Sequence, residues 1–388
     1  MHYIRLLRPP TVERHRGENV LKIAITITTD LSDAFLAPDV PVDLTIIGAS
    51  QGHAPVPVNL TPSRIPKWQA GMRALKFDVP FPAKPVIKTI QIRPANRDIA
   101  ALTTSDIYPG SSDQGLIFPV YADLLSSRDN KLHVCFRSLR LPQPDGTSTV
   151  NTLQVEEEMG ESMARHIWDG GLTTVSLVAN LCLSPDNSGK QKPLPLLSSI
   201  LQQEGSLNIL ELGCGVGILG VGFARALALS PSAQKRGTHV LMTDLPDAQV
   251  RARANIERCV AQIGLSPSDK KTPVSLDFED LDWNDGKEGI FGAKVQASTW
   301  DLVVLSDCTY NDLLPVLVQT LSALHHTCSE RGADTKIMLA TKPRHSAERE
   351  FFDLMRADGW KIAEQTAVRL PVLYSEDQTV EVYMFSKN

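Results

Sequence analysis

Three alternating glycines have the spacing of a ligand-binding turn. The segment reads ELGCGVG, in which Glu211 precedes Gly213, Cys214, Gly215 and Gly217. It follows the apolar run LNILELG, which predicts a strand, and opens VGILGVGFARALALS, which predicts a buried helix. Glycine lets the backbone turn tightly and approach a ligand, and the first turn of a helix offers free N–H groups. Such a turn suits a nucleotide, or a nucleoside that carries a carboxylate.

The same glycine spacing argues against one cofactor class. Counted from Gly213, the first glycine after the predicted strand, the dinucleotide-binding fingerprint G-x-G-x-x-G would need a third glycine where Ile218 stands. An NAD-dependent oxidoreductase is therefore the weakest interpretation. A tight turn that binds nothing is the alternative that this pattern alone leaves open.

Two carboxylates stand at the ends of predicted strands. Asp244 ends the strand THVLMTDL, where an acidic side chain can accept hydrogen bonds from both ribose hydroxyls. Asp307 ends the strand WDLVVLSD, and Tyr310 follows three residues later. In an open α/β sheet these carboxyl ends line the ligand crevice. The alternatives are helix caps, with Asp244 capping the next helix and Asp307 capping a helix that starts near Asn311.

Alternating strands and helices are predicted to position these residues. Five strands and the helices between them run from LNILELG to SAEREFFDLMRADGW, where Ser346 is a predicted N-cap. The segments GWKIAEQTAV and TVEVYMFSK then form two strands with no helix between them. This order predicts a mostly parallel sheet with an antiparallel edge. The helix LLPVLVQTLSALHHT is amphipathic, with one stripe formed by Leu313, Leu317, Thr320 and Leu324.

The N-terminal third has a different pattern. Short β-like segments such as LKIAITITTD and VIKTIQIRP alternate with Pro-, Gly-, Asn- and Asp-rich turns, which predicts a sandwich or small barrel. No residues there have catalytic spacing. We therefore expect two domains, a β-rich one over 1–130 and an α/β one over 131–388. The predicted buried face of the first long strand comprises Leu21, Ile23, Ile25 and Ile27.

Composition narrows the class of protein. The net charge is −5 over 388 residues, and no basic face is evident in the sequence. Both observations argue against tight, sequence-independent nucleic-acid binding. The six cysteines include no C-x-x-C pair and are expected to be free thiols in a reducing compartment. Neither a signal peptide nor a membrane-spanning apolar run is evident, so we expect a cytoplasmic or nuclear protein. His325, His326 and Cys328 lack a fourth metal ligand at suitable spacing, so no metal is expected.

Several segments together resemble one known family. ILELGCGVGILG, TDLP, LDW, SDCTY and IWDGGL resemble motifs of the seven-strand protein lysine methyltransferases of methyltransferase family 16. The D-x-x-Y pattern in SDCTY is that family's own signature. The resemblance covers about residues 130 to 388. It implies a Rossmann-like class I sheet of order 3-2-1-4-5-7-6, the cofactor S-adenosyl-L-methionine, and a protein substrate that presents a lysine.

The resemblance also implies roles for individual residues. Trp168 would lie over the cofactor, the glycine turn would line its methionine and ribose parts, and Trp283 would lie beside the adenine. Ser306 stands where the family often has alanine. Asp307 would orient the lysine nitrogen or the cofactor amine, and Tyr310 would complete the channel for the target lysine. The residues expected to bind cofactor are Trp168, Glu211, Gly213, Cys214, Gly215, Gly217, Asp244, Trp283 and Ser306.

The substrate is not implied with the same specificity. Compact family members have no counterpart of the N-terminal β region, and some larger relatives methylate translation elongation factors. A docking role for this region is a hypothesis, and the acidic run Glu156, Glu157 and Glu158 is predicted to be a solvated face or a guide for a basic segment. A methyltransferase acting on a small molecule, RNA or another side chain stays open. So does a module that binds cofactor without catalysis. The oligomeric state is not indicated.

Overall fold

A computed structural model describes most of the chain as two compact units. The described residues are 1–15, 18–50, 56–110, 114–124, 133–143, 150–159, 165–184, 193–230, 237–263, 274–309 and 313–387. The first unit comprises Met1–Leu139, Gln154–His166 and Leu370–Gln378, and the second comprises Arg140–Leu153, Ile167–Arg369 and Thr379–Asn388. The predicted boundary between residues 130 and 131 lies outside the described residues and stays a prediction.

Two β-sheets form the first unit. One contains β1 (His2–Leu6), β2 (Thr11–His15), β3 (Glu18–Thr28), β7 (Leu75–Phe81) and β9 (Ile117–Phe118). The other contains β4 (Val42–Ser50), β5 (Pro57–Asn59), β6 (Lys67–Trp68), β8 (Ile87–Pro94), β10 (Val120–Asp123), β11 (Val134–Arg140) and β12 (Thr152–Glu158). Their orders are β2-β3-β1-β9, with β7 on β3, and β12-β11-β10-β8-β4-β5, with β6 on β4. A 3₁₀ turn spans Arg97–Ile99, and an irregular turn with an extended residue at Tyr108 spans Asp106–Gly110.

A single apolar core joins residues of both sheets. Strand β3 buries the face predicted from its alternation, and Ile23 and Ile25 are at most 1% exposed. Ile46 of β4 and Ile92 of β8 belong to the same cluster. The two sheets and their shared core confirm the prediction of a β-rich unit. The predicted face of β3 is buried because alternate residues of a strand point to one face of the sheet.

The acidic run near residue 157 corrects one prediction. It forms the end of β12 rather than a solvated surface, and burial alternates along it, so Glu157 is 1% exposed. Arg137 Nε donates to Glu157 Oε1 at 2.7 Å, and Arg137 Nη1 donates to the Pro119 carbonyl at 2.7 Å. Burial alone would raise the pKa of Glu157, but the charges of Arg137 and Arg5 outweigh it and lower that pKa to about 2.

The second unit is a layered α/β fold. Its strands are β13 (Leu207–Leu212), β14 (Thr238–Asp244), β15 (Val274–Asp280), β16 (Leu302–Ser306), β17 (Lys336–Thr341), β18 (Trp360–Leu370) and β19 (Gln378–Lys387). Its helices are α1 (Asp169–Leu183), α2 (Pro195–Gln202), α3 (Ile218–Leu229), α4 (Pro246–Ile263), α5 (Trp283–Gly286), α6 (Ala293–Ala297), α7 (Leu314–Ser329) and α8 (Glu350–Ala357), with a 3₁₀ turn at Ser346–Arg349. No helix in the described ranges is long and apolar enough to cross a membrane.

The sheet order confirms the implied topology. It reads β15-β14-β13-β16-β17-β19-β18, which is 3-2-1-4-5-7-6 when the seven strands are counted along the chain. Strands β13 to β17 pair in parallel, and β19 runs antiparallel to β17. Chain order reverses between β13 and β16, so a crevice opens at their carboxyl ends.

Two local predictions in this unit are wrong. Ser346 does not cap the helix it precedes, because the His345 side chain accepts the Ala347 N–H at 3.1 Å and forms a capping box with Glu348. Leu313 is 39% exposed because α7 begins at Leu314, and only the rest of the predicted stripe is buried.

Substitution of Arg137 tests the buried ion pair. We expect Arg137→Met to destabilise the folded chain by about 3–5 kcal/mol at pH 7, because it removes the main counter-charge of a buried carboxylate. The pKa of Glu157 is depressed in the folded state. Its contribution is therefore present above pH 4.5 and is lost as the pH falls toward 2. Urea unfolding of the full chain at pH 7 and pH 3 measures both effects.

The control is Lys76→Met, at an exposed position of β7, which should change stability by less than about 0.5 kcal/mol. Equal stabilities of Arg137→Met and the wild type at both pH values would contradict the role of the pair.

Candidate functional site

The glycine turn after β13 depends on a position without a side chain. Gly213 has φ +66°, a conformation that residues with a side chain rarely adopt. A Cβ placed there would lie 2.8 Å from Cys308 Sγ and 3.2 Å from the ring of Trp283. The turn therefore packs its backbone against the loop after β16 and the first residue of α5.

Glu211 supports this turn from behind the start of α3. Its side chain is buried, and its Oε2 accepts the Gly220 N–H at 2.9 Å in the first turn of α3. The helix needs this acceptor because its N-cap, Gly217, has no side chain. Burial raises the pKa of Glu211 well above its ordinary value. The carboxyl group thus holds α3 against β13, and a direct contact with cofactor stays a prediction.

Asp244 fastens the turn from β14. Its Oδ2 accepts the Gly215 N–H at 2.7 Å, and its Oδ1 accepts the Leu245 N–H at 2.7 Å. Next to it, the Cys214 N–H donates to the Thr243 carbonyl at 3.0 Å. Burial raises the pKa of Asp244 although both N–H groups oppose that shift. Each carboxylate oxygen has a second acceptor position, so two hydroxyl groups of a ligand can still bind.

Asp307 joins the end of β16 to the start of α1. Its Oδ2 accepts the Gly170 N–H at 2.8 Å, and its side chain is 4% exposed. A Cβ at Gly170 would overlap this carboxylate, and a Cβ at Gly171 would lie 3.2 Å from Ser306 Oγ. The two glycines of IWDGGL therefore let the start of α1 approach the sheet. Asp307 thus accepts a hydrogen bond at the start of α1, and the alternative of a cap near Asn311 lies outside the described residues and stays a prediction.

The other oxygen of Asp307 faces residues that follow β17. Asp307 Oδ1 accepts from the Lys342 backbone N–H at 3.2 Å and from Arg344 Nη1 at 2.9 Å. Asp307 itself has φ +52°, which is strained for a residue other than glycine. Strain of this kind persists only where surrounding contacts hold it, and these hydrogen bonds supply that hold.

A second ion pair and a stacked cation lie beside it. Lys342 Nζ donates to Asp169 Oδ2 at 2.7 Å, and both side chains are buried. The Arg344 guanidinium lies over the Trp168 ring, 5.0 Å from its centroid. Asp169, Lys342 and Arg344 were not among the residues expected from the sequence. Position in the sequence could have indicated two of them, because Lys342 and Arg344 follow the carboxyl end of the central strand β17.

The structure brings most of the predicted residues to one edge of the sheet. Close approaches link Gly213 with Trp283, Gly215 with Asp244, and Gly171 with Ser306. Cys214 is 5% exposed, and burial raises the pKa of its thiol. Tyr310 lies outside the described residues, so its role in the channel stays a prediction.

These residues fit S-adenosyl-L-methionine. The partly exposed ring of Trp283 beside the glycine turn suits a flat base, and the free acceptor positions of Asp244 suit two ribose hydroxyls. The N-terminal N–H groups of α3 suit a carboxylate.

Substitution of Gly170 tests the approach of α1 to Asp307. Alanine favours a helix over glycine by about 1 kcal/mol, yet we expect Gly170→Ala to destabilise the chain by about 1–3 kcal/mol, because its Cβ overlaps the carboxylate. Urea unfolding measures this, and hydrogen exchange at the start of α1 should become faster. Gly205→Ala is the control, since a Cβ there meets open space. Stabilisation by Gly170→Ala would contradict this packing.

Comparison with known proteins identifies the family. A family model described as lysine methyltransferase matches residues 148–358, a stretch of 211 residues in a chain of 388, and all the predicted site residues lie within it. A UPF0665 family protein of Schizosaccharomyces pombe is 23% identical over 389 residues, covering 100% of this chain and 99% of that protein.

Solved structures of similar shape include other methyltransferases. The precorrin-6y C5,15-methyltransferase of Geobacter metallireducens is 12% identical, with a TM-score of 0.32, over 53% of this chain and 92% of that one. A putative S-adenosylmethionine-dependent methyltransferase of Streptococcus mutans is 11% identical, with a TM-score of 0.38, over 69% of this chain and 58% of that one. On the strength of the family match, this chain belongs to the lysine methyltransferase family and is an S-adenosyl-L-methionine-dependent methyltransferase of class I.

Proposed function

We propose that this protein is a protein-lysine N-methyltransferase that acts on a cellular protein. The observation that carries the proposal is the match to the lysine methyltransferase family over residues 148–358, which contains the glycine turn, both strand-end carboxylates and the ion pairs beside them. The D-x-x-Y pattern at Asp307 and Tyr310 supports the same substrate class.

The cofactor side of the site is proposed to use backbone and one carboxylate. Gly213, Cys214 and Gly215 would line the methionine and ribose parts, Asp244 would accept from the ribose hydroxyls, and Trp283 would cover the adenine. Asp244 is suited to this role because its hydrogen bond to the Gly215 N–H fixes its orientation. When bound, the cofactor supplies an electrophilic methyl group on a sulfonium.

The target lysine must reach the methyl group as a neutral amine. A lysine Nζ attacks only after it loses a proton, and desolvation lowers its pKa. Two ion pairs form the proposed wall of the lysine channel: Lys342 with Asp169, and Arg344 with Asp307. Each pair joins one carboxylate to one positively charged side chain. It therefore adds no net negative charge that would hold the proton on the lysine. Tyr310 is proposed to line the channel.

The structure changes the proposed role of Asp307. Its oxygens already accept from the Gly170 and Lys342 backbone N–H groups and from Arg344. We therefore assign it to positioning α1 and Arg344 rather than to contact with the lysine nitrogen. Arg344 lies over the Trp168 ring, so this indole face is covered by a cation of the protein itself.

A transfer assay tests the proposed function. Purified protein is mixed with deuteromethyl S-adenosyl-L-methionine and a cell extract that lacks the endogenous enzyme, and labelled peptides are read by mass spectrometry. We expect one or a few labelled lysines. Asp244→Asn should weaken cofactor binding about 10- to 100-fold, because it loses charge-assisted hydrogen bonds. Asp247→Asn, exposed in the first turn of α4, is the matched control and should label normally.

Label only on small molecules, RNA or another side chain would overturn the lysine assignment and leave the methyltransferase intact. Measurable cofactor binding with no labelled product would instead support a non-catalytic module.

The pairing of Asp307 with Arg344 generates a separate prediction. We expect Asp307→Asn and Arg344→Gln each to lower kcat about tenfold or more, with little change in cofactor Kd, because both misplace the wall of the lysine channel. The double variant should lose little more than either single variant, since the two side chains act as one unit. Single-turnover kinetics and cofactor titration separate the two quantities. Additive losses, or a matching fall in cofactor affinity, would contradict this positioning role.

A further inference from the structure

The first unit contains a cavity to which the sequence pattern assigned no chemistry. Its volume is about 380 Å³, within the range of small-ligand sites. Its lining includes Arg5 of β1, Thr26 and Thr28 of β3, and the apolar side chains of Phe35 and Met159. It thus combines a charged end with an apolar body.

Polar groups in this wall lack hydrogen-bond partners within the described part of the chain. The Arg5 guanidinium is 9% exposed and donates from Nη2 to the Asp30 carbonyl at 2.9 Å, but its Nε and Nη1 have no hydrogen-bond acceptor. The hydroxyls of Thr26 and Thr28 are buried and also lack partners. Each such group typically costs about 1–3 kcal/mol, so a ligand that accepts hydrogen bonds from these four atoms would recover that free energy.

The nearby charges favour an anion of low charge. Glu157 lies 3.9 Å from Arg5 Nη1, but it is already paired with Arg137. Glu158, also in the lining, is paired with Arg165 at 2.8 Å. Arg5 and Arg137 are both counter-charges of Glu157, so one positive charge remains in excess there, while the two carboxylates disfavour a dianion at close range.

We propose that this cavity binds a small organic monocarboxylate. Its carboxylate would accept hydrogen bonds from Arg5 and from the hydroxyls of Thr26 and Thr28, and its apolar part would pack against Phe35 and Met159. The four donor atoms are covered in the structure. Binding therefore includes rotation of the threonine side chains about χ1 or a small shift of the guanidinium toward the cavity.

Three probes of similar size test which ligand charge the cavity binds. We titrate 3-phenylpropionate, its neutral amide 3-phenylpropanamide and the dianion phenyl phosphate into the full chain, and follow saturation-transfer NMR. We expect saturable binding of the carboxylate alone, with a Kd on the order of 1 mM for so small a molecule. Absence of saturable carboxylate binding up to 20-fold above that concentration, about 20 mM, would overturn the proposal. So would equal or tighter binding of the amide or the phosphate.

The variants locate the binding. Thr26→Val with Thr28→Val should weaken the carboxylate about tenfold while preserving the thermal unfolding temperature, because it replaces unpaired buried hydroxyls with methyl groups of the same size. Arg5→Met should abolish binding. If that variant does not fold, the double threonine variant decides alone. Thr11→Val, exposed on β2, is the control. Binding that survives the threonine changes unaltered would place the carboxylate elsewhere and overturn the assignment.

Discussion

The carboxylate of Asp307 is the contact on which the site depends. One oxygen holds the start of α1 through the Gly170 N–H, and the other holds the residues after β17 through Lys342 and Arg344. Three segments that are distant in sequence therefore meet at one side chain. Asp307 occupies a strained left-handed conformation, and hydrogen bonds to both of its carboxylate oxygens hold it there. The glycines of IWDGGL complete the arrangement by removing the side chains that would keep α1 away.

The other half of the site is held by acids as well. Glu211 and Asp244 both accept N–H groups near the glycine turn, one from α3 and one from the turn itself. Burial raises the pKa of each carboxyl group, because it disfavours the charged form. Their role in the turn therefore comes from the hydrogen bonds that they accept. The turn is thereby fixed before any cofactor arrives. A fixed turn loses less conformational freedom on binding, which favours affinity.

The first unit contains two kinds of buried charged side chain. Arg137 and Glu157 form a closed pair with additional carbonyl acceptors, so neither charge is left over. Arg5 is the second counter-charge of Glu157, and its Nε and Nη1 have no hydrogen-bond acceptor among the described residues. Because buried polar groups are nearly always satisfied, this contrast supports the proposal that a ligand accepts hydrogen bonds from Arg5.

The sequence alone predicted the elements of the second unit and named most residues of the candidate cofactor site. Short apolar or alternating runs located the seven strands, and motif spacing named Gly213, Asp244 and Asp307. The family resemblance supplied the sheet order that the structure confirms. Only the tertiary structure decided what each carboxylate contacts. The partners of Asp307 lie 35 and 37 residues later at Lys342 and Arg344, and 137 residues earlier at Gly170. Chain periodicity carries no information on such pairings. They exist because parallel strands deliver their carboxyl ends to one edge, where residues far apart in sequence become neighbours.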